Sequence, residues 1–217
     1  MRLTYPQPPP EILQLAYGAM NMEMLRHPHS ERPPSLTSRS NAYAHVPDAY
    51  QVYLLTAADI AKRRELRAAQ HTSWQDVVVL SGIGHGIEVA MSASRPTKHV
   101  VRGNAIDHQL SVLTELAGEP GNGTFEVRGL RIPLLVPFSF WLKAANDRNS
   151  RLVPVASNVP QLQPGKQYKA KEFFDALRKT AAHLITTDLA RPADDSGAPR
   201  KPAGRKKRPA VKPALER

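Results

Sequence analysis

Three alternating glycines, Gly82, Gly84 and Gly86, follow an apolar run from Val77 to Leu80 and are the residues that could hold a nucleotide. If the run is a buried strand and the glycines form a turn that opens a helix, the free backbone amides of that turn could bind a phosphate. That arrangement would indicate a nucleotide-using enzyme. The spacing lacks the third glycine of the dinucleotide fingerprint, the Lys-Ser/Thr of a P-loop and an acid about 20 residues further on to hold a ribose.

The element that would position these glycines can also be a helix. Ser73, with Asp76 three residues later, is typical of a helix N-cap, so residues 73–91 would form one long helix. The glycines would then lie on a face where another backbone packs closely. Thr56 with Asp59 repeats the cap pattern earlier in the chain, which favours the helix. On this interpretation the three glycines are helix-packing residues and hold no phosphate.

A β-hairpin is the third interpretation of the same stretch. Its apolar residues alternate with a period of two, which allows Val77 and Val79 to pair with Ile87, Val89 and Met91 across a glycine-rich turn. The β-branched run also favours a strand. The sequence therefore leaves three structures open: a helix, a hairpin, and a strand followed by a phosphate turn.

Positive charge is concentrated towards the C-terminus. The formal net charge of the chain is +11, which favours polyanions because each neutralised phosphate releases counterions. From Arg191 onward nine basic residues stand against three acidic ones, a net charge of +6. This tail holds five prolines and the block Arg205, Lys206, Lys207 and Arg208. We therefore predict a disordered arm that binds nucleic acid through its phosphates.

Other classes of chemistry are disfavoured by what the sequence lacks. The absence of cysteine excludes disulfides, thiolate zinc sites and cysteine nucleophiles, and is typical of a reducing compartment. His27 and His29 have no third ligand at a recognisable spacing, and we expect no metal, no cofactor and no catalytic residue. No apolar run approaches about 18 residues, so the expected localisation is cytoplasmic, without membrane association.

A short strand and a run of basic residues precede the glycines. Tyr50 to Leu55 predicts a strand whose alternation places Gln51 and Tyr53 on one face. Thr56 is then expected to cap a helix that continues to Gln70. Basic side chains on this helix could contact phosphates: Lys62, Arg63, Arg64 and Arg67.

A strand, a helix and a second helix opened by Ser73 resemble the ribbon–helix–helix fold, whose dimers lay a two-stranded ribbon in the major groove. One segment also resembles integrating-conjugative-element proteins related to the AcaB transcriptional activators, through Tyr53-Leu54-Leu55-Thr56, Asp59, Arg63-Arg64, Leu66 and Ala68. The resemblance implies that Gln51 and Tyr53 face bases. It also implies that the helix start at Thr72 and Ser73 holds a phosphate through its amides.

The second half of the chain predicts strands followed by a helix. Glu119 to Gly123 is the clearest breaker. Short strands are expected at 124–127, 130–136 and 152–155, with a turn at Arg128-Gly129, before an amphipathic helix at 168–186. The fold class is therefore expected to be α+β, with a helix-rich N-terminal half and a small antiparallel β portion at about 124–156. The predicted parts are a disordered arm at 1–10, the helix-rich part at 11–118, the β part with its C-terminal helix at 119–189, and a disordered basic tail at 190–217.

These observations favour a non-enzymatic DNA-binding regulator or accessory protein of a mobile element, acting as a homodimer or in a larger assembly. DNA rather than RNA is the expected nucleic acid. The predicted contacts are Gln51, Tyr53, Arg63, Arg67, Thr72, Ser73 and the basic block of the tail. Two alternatives stay open: a protein-interaction subunit of a larger nucleoprotein assembly, and a nucleotide-using enzyme with the glycine turn as its phosphate site.

Overall fold

The computed structural model describes residues 1–26, 49–80, 83–91 and 96–186. In these ranges the chain forms nine strands and four α-helices. The strands are β1 (Arg2–Thr4), β2 (Tyr50–Leu54), β3 (Gln70–Leu80), β4 (Ile83–Ala90), β5 (Thr97–Arg102), β6 (Thr124–Ile132), β7 (Val136–Lys143), β8 (Arg151–Ala156) and β9 (Tyr168–Lys169). The helices are α1 (Pro10–Arg26), α2 (Ala57–Ala61), α3 (Asn104–Gly118) and α4 (Ala170–Thr186).

All nine strands belong to one mixed sheet, in which eight follow the order β5-β4-β3-β2-β6-β7-β8-β9. Neighbouring strands are antiparallel except beside β6, to which both β1 and β2 run parallel. Arg2 lies opposite Thr124 and Gln51 lies opposite Arg128, so β1 and β2 follow one another along the same edge of β6. The sheet therefore joins strands from both sides of the breaker at 119–123.

The predicted helix-rich N-terminal half is wrong. Residues 50–102 contribute four strands, and the stretch 73–91 lies in the β3–β4 hairpin, with Val77 opposite Gly86. The hairpin was one of the three structures left open, but its register differs from the expected one. Strand β3 pairs with β2 on one side and β4 on the other. Cross-strand pairing and packing therefore outweigh the local cap signal at Ser73, as is common for strands.

Two other helix predictions fare better than the one at 73–91. The structure confirms the helix expected at 168–186, which is α4, and it confirms the cap of α2, where Thr56 Oγ1 accepts a hydrogen bond from the Asp59 amide at 3.2 Å. The expected continuation of α2 is wrong, since the helix ends at Ala61. Arg63 and Glu65 take left-handed backbone conformations, with φ of 56° and 48°, which a right-handed helix does not contain.

Two boundaries of the predicted strands also need correction. The turn expected at Arg128-Gly129 is wrong, because β6 continues through both residues and the turn to β7 lies at 133–135. The N-terminal segment 1–10, expected as a disordered arm, contributes β1 and the first residue of α1. Both errors come from strand partners that are distant in sequence, since β1 and β2 each pair with β6.

Helices cover both sides of the sheet. We call the side covered by α1, α2 and α4 the α4 face, and the side covered by α3 the α3 face. Buried side chains that pack with α4 include Leu130, Ile132, Trp141, Leu152, Phe173, Phe174 and Leu177. Buried side chains that pack with α3 include Tyr50, Val52, Ile106, Leu113, Leu116, Phe140 and Leu142. The remaining helix, α1, packs on Trp74, Ile87 and Val89 of the α4 face.

Glycines allow α3 to approach β4. A Cβ atom added at Gly84 would lie 2.7 Å from Asp107 Oδ1, and one added at Gly86 would lie 2.6 Å from Ile106 Cδ1. The Gly84 amide also donates a hydrogen bond to Asp107 Oδ1 at 3.2 Å. These glycines therefore allow close packing, but between a strand and a helix rather than between two helices. Gly82 lies outside the described residues.

The α3 face also contains paired polar side chains. Glu88 accepts two hydrogen bonds from the Arg131 guanidinium, at 2.7 and 2.8 Å, and one from the Ser73 hydroxyl at 2.6 Å. Although burial, the largest influence, raises the pKa of Glu88, these hydrogen bonds outweigh it and hold the pKa below its usual range. This cluster joins β3, β4 and β6 across the sheet.

Candidate nucleic-acid interface

A row of polar and aromatic side chains, which we call the trough, crosses the α4 face from the part covered by α1 to the part covered by α4. Its members are Gln51, Tyr53, His71, Trp74, Arg128 and Trp141. The strand register places Trp141 opposite Arg128, Arg128 opposite Gln51, and Gln51 opposite Trp74, which forms a continuous row over four strands. Trp74 packs with α1 and Trp141 packs with α4, so the two indoles mark the sides of the trough. The side chains between them are half-buried.

A β-bulge in β3 brings His71 into the trough. Val52 lies opposite Ser73, whereas the next residue of β2 lies opposite His71, so Thr72 is the extra residue. Because side chains alternate along a strand, an unbroken β3 would place His71 and Trp74 on opposite faces. With the bulge both rings lie on the α4 face, with their centroids 5.6 Å apart.

A guanidinium group lies over two aromatic rings at the centre of the trough. Arg128 Cζ is 5.0 Å from the ring centroid of Tyr53 and 4.9 Å from that of Trp141. Its Nε donates a hydrogen bond to Glu126 Oε1 at 2.6 Å, and the Tyr53 hydroxyl donates one to Gln51 Oε1 at 2.9 Å. These cation–π contacts and hydrogen bonds hold the Tyr53 ring in one orientation.

The environment of the trough shifts two titratable side chains. Burial raises the pKa of Tyr53, while the neighbouring Arg128 opposes that shift. Burial also lowers the pKa of His71, and Arg128 lowers it further, against a hydrogen bond to the Ser73 carbonyl oxygen that raises it. A neutral imidazole can donate that bond from Nε2, at 3.0 Å. At neutral pH the side chains of Tyr53 and His71 are therefore uncharged and lie near the Arg128 guanidinium.

Next to the trough lies a segment that we call the basic turn, residues 62–67. Its cations are exposed and make no ion pair with any residue in the described ranges: Lys62, Arg63, Arg64 and Arg67. The turn contains the two left-handed residues, and its Glu65 pairs with Arg178 of α4. Leu54 at the end of β2 lies opposite Gln70 at the start of β3, so the turn begins and ends beside the Tyr53 and His71 end of the trough.

The structure places some of the predicted contact residues together. Gln51 and Tyr53 share the α4 face, as their alternation predicts, and Arg63 and Arg67 lie in the adjoining basic turn. Whether these residues contact nucleic acid stays a prediction. The block Arg205, Lys206, Lys207 and Arg208 lies outside the described residues.

Thr72 and Ser73 are placed differently from the expectation. No helix begins at these residues, so the predicted phosphate site at a helix N-terminus is wrong. Thr72 is the bulged residue, and its hydroxyl donates a hydrogen bond to the Val52 carbonyl at 3.3 Å. Ser73 is 1% exposed and its hydroxyl is bound to Glu88 on the α3 face, so it is unable to reach a ligand in the trough.

Sequence reasoning missed four members of the trough, His71, Trp74, Arg128 and Trp141, and it placed Lys62 on a helix rather than in a turn. The alternation of Glu126, Arg128 and Leu130 would have indicated that Arg128 shares a face with its neighbours in a long strand. No local signal marks the bulge at Thr72, which is why His71 could not be assigned to the face of Trp74.

Comparisons and searches of the described residues add no further assignment. No protein-family model, curated protein or solved structure matches this chain significantly. Within the described ranges no group of three or more His, Cys, Asp or Glu side chains could hold a metal ion. None of the helices described is long and apolar enough to cross a membrane.

Proposed function

We propose that this protein is a non-enzymatic nucleic-acid-binding protein whose binding surface is the basic turn together with the adjoining trough. The observation that carries the proposal is the basic turn, where exposed cations stand without ion-pair partners among the described residues. Cations that the fold does not pair can contact phosphates, and clustered cations bind polyanions by releasing counterions.

Two features of the backbone and the sequence support the same proposal. Left-handed conformations at Arg63 and Glu65 cost about 1 kcal/mol or more each, and such strain clusters at functional sites. The net charge of +11 strengthens attraction to any polyanion. We propose DNA as the ligand. The role of regulator or accessory protein of a mobile element rests on the resemblance of residues 53–68 to AcaB-related proteins. It does not depend on a ribbon–helix–helix fold, since Ser73 lies in a strand and opens no second helix.

Fluorescence anisotropy with labelled DNA tests the proposal. Full-length protein is titrated into random-sequence and self-promoter DNA at about 50 and about 200 mM salt, where counterion release makes affinity fall steeply. The triple variant Lys62→Gln/Arg64→Gln/Arg67→Gln is expected to weaken binding at low salt about tenfold or more, and to reduce the salt slope by about 3, one for each lost phosphate contact.

A matched control variant distinguishes the effect of the basic turn from the effect of lowering the net charge. Arg2→Gln/Arg148→Gln/Lys169→Gln removes the same charge from exposed side chains at the opposite end of the sheet. This control should retain most of the affinity. Equal losses in the two triple variants would show that the basic turn is not the site, and the absence of DNA binding at low salt would overturn the proposed function.

The open edge of β5 favours a second candidate function, a subunit that joins another chain by strand pairing. Among the described residues β5 pairs only with β4, and Thr97, Lys98 and His99 are exposed. An unpaired edge can accept a strand from a partner. Light scattering at physiological salt measures the mass in solution. A dimeric mass is the expected result for a self-pairing subunit, whereas a monomer at micromolar concentration counts against self-pairing.

A further inference from the structure

We propose that the trough binds an unpaired nucleobase, stacked on the rings of Tyr53 and His71, so that the protein prefers single-stranded to duplex nucleic acid. This inference rests on the proposed function and specifies the ligand of the same surface. The ring centroids of Tyr53 and His71 are 5.4 Å apart and their planes are tilted by 36°. Tyr53 and His71 are each partly exposed to solvent.

The rings are pre-positioned for stacking. Tyr53 is held by the Arg128 guanidinium on one side, by the edge of Trp141 at a centroid distance of 5.4 Å, and by its hydrogen bond to Gln51. His71 is held by Trp74 and by its bond to a backbone carbonyl. A base that stacks here orders no additional side chain. Stacking on such aromatic groups is tolerant of base identity because every base has a π-face.

An unpaired base can present its ring face to Tyr53 and His71, whereas a paired base inside a duplex cannot. The trough residues Trp74 and Trp141 pack with α1 and α4, so a helix lies on the sheet at each end of the row. Base pairs inside a duplex are stacked on one another and present only their edges, so they offer no ring face for stacking. A base on a flexible single strand can turn away from its backbone and reach the rings.

The charged side chains around the trough determine where the phosphates of the bound strand lie. The basic turn adjoins the Tyr53 and His71 end of the trough, whereas Glu126 lies beyond Arg128 at the other side. Phosphates are therefore attracted to the turn and repelled from the carboxylate. The backbone of the strand is expected to follow residues 62–67 while one base enters the trough.

Intrinsic fluorescence provides a direct test, because the chain has two tryptophans and both belong to the trough. Full-length protein is titrated with a single-stranded deoxyoligonucleotide of about 12 nucleotides, the same strand with abasic sites, and the corresponding duplex. The normal strand should change the tryptophan emission and bind about tenfold more tightly than the abasic strand. The duplex should bind, with little change in emission.

Three variants identify the stacking residue. Tyr53→Leu should weaken binding of the normal strand about tenfold and leave binding of the abasic strand and the duplex unchanged. Tyr53→Phe keeps the ring and should bind within about twofold of the wild type. Tyr17→Leu removes an exposed tyrosine from α1 that is not one of the trough residues, and should leave the affinity for the normal strand unchanged.

The outcomes separate this inference from the proposed function. If Tyr53→Leu and wild type bind the normal strand equally, or if abasic and normal strands bind equally, the stacking site is wrong although nucleic-acid binding stands. If neither strand nor duplex binds at low salt, both proposals are overturned. Thermal unfolding of Tyr53→Leu and Tyr53→Phe checks that each variant is folded before its affinity is compared.

Discussion

On the α3 face, polar side chains of the strands and of α3 pair with one another, whereas on the α4 face the trough adjoins cations without ion-pair partners among the described residues. Glu88 is bound by both Arg131 and Ser73, and the Gln109 side-chain oxygen accepts hydrogen bonds from Tyr50 and Gln75, at 2.9 and 3.0 Å. Paired groups inside a packed layer contribute to a unique structure and leave little capacity for a ligand.

The α4 face differs in carrying the basic turn beside its own paired side chains. The Arg128 guanidinium contacts the rings of Tyr53 and Trp141, and the basic turn carries cations that make no ion pair with any described residue. Charged side chains of the same types are therefore paired on the α3 face and exposed in the basic turn on the other side of the same sheet. Substitutions on the α3 face should change stability, and substitutions on the α4 face should change binding.

The largest effect is expected from Gly84→Leu on the α3 face. The new side chain would meet Asp107, Leu110 and Ile106 of α3 within 3.0 Å, and overpacking of this kind should lower the free energy of unfolding by about 3 kcal/mol or prevent folding. Chemical denaturation measures this change in the free energy of unfolding. Gly118→Leu, where nothing lies within 4 Å of an added Cβ, is the matched control and should fold normally. A stable Gly84→Leu protein would contradict the close packing of α3 on β4.

The next effect concerns the ion pair of the α3 face. Glu88→Gln should lower the free energy of unfolding at pH 7 by about 2 kcal/mol, because the Arg131 guanidinium is left partly buried without its carboxylate. Lys171→Gln removes one partner of an exposed ion pair on α4 and should cost less than about 0.5 kcal/mol. Equal effects of the two substitutions would show that the α3 face has no special electrostatic role.

The same pair has a defined pH dependence. The pKa of Glu88 is lower in the folded chain than its ordinary value of 4.5, so its contribution is complete above that value and is lost as the pH falls through the folded pKa. Wild-type protein should therefore lose more stability than Glu88→Gln when the pH is lowered from about 6 to about 3. Urea denaturation across this range measures the difference. Parallel curves for the two proteins would exclude the assigned shift.

On the α4 face, Arg63→Gly should change stability and binding in opposite directions. Glycine adopts the left-handed conformation without steric cost, so the free energy of unfolding should rise by up to about 1 kcal/mol. DNA affinity should fall about threefold with the loss of one phosphate contact. Arg67→Gln removes a charge without relieving strain and should weaken binding alone. If Arg63→Gly binds DNA as tightly as wild type, the Arg63 guanidinium makes no phosphate contact and the proposed role of this residue is wrong.

The smallest effect is expected at His71. Its pKa in the folded chain is below the ordinary value of 6.5, chiefly because of burial, so folding favours the neutral ring. Its contribution to stability is present above pH 6.5 and is lost as the pH falls through the folded pKa. Wild-type protein should therefore be destabilised more than His71→Phe between pH 7.5 and pH 5. A larger loss in the variant would reverse the sign of this assignment.

Prediction from sequence worked where the signals are local and failed where partners are distant. The Thr56 cap and the helical periodicity of α4 depend on residues within a few positions, and both are confirmed. Ser73 carries an equally good cap pattern, yet it lies in a strand because β2 and β4 pair with it from either side. The face shared by Gln51 and Tyr53 was predictable from alternation, whereas the presence of His71 on that face was not.

By itself the sequence determined the amphipathic helix α4, the cap that opens α2, the strand of Gln51 and Tyr53, and the excess of positive charge, since these follow from local pattern and composition. Only the tertiary structure decided that residues 73–91 contribute to a hairpin, that β2 joins the distant strand β6, and that Gly84 faces α3. It alone placed Arg128 over Tyr53 and, through one bulged residue, turned His71 towards Trp74. The physical reason is that strand register and side-chain facing depend on partners far along the chain, whose contributions no local pattern contains.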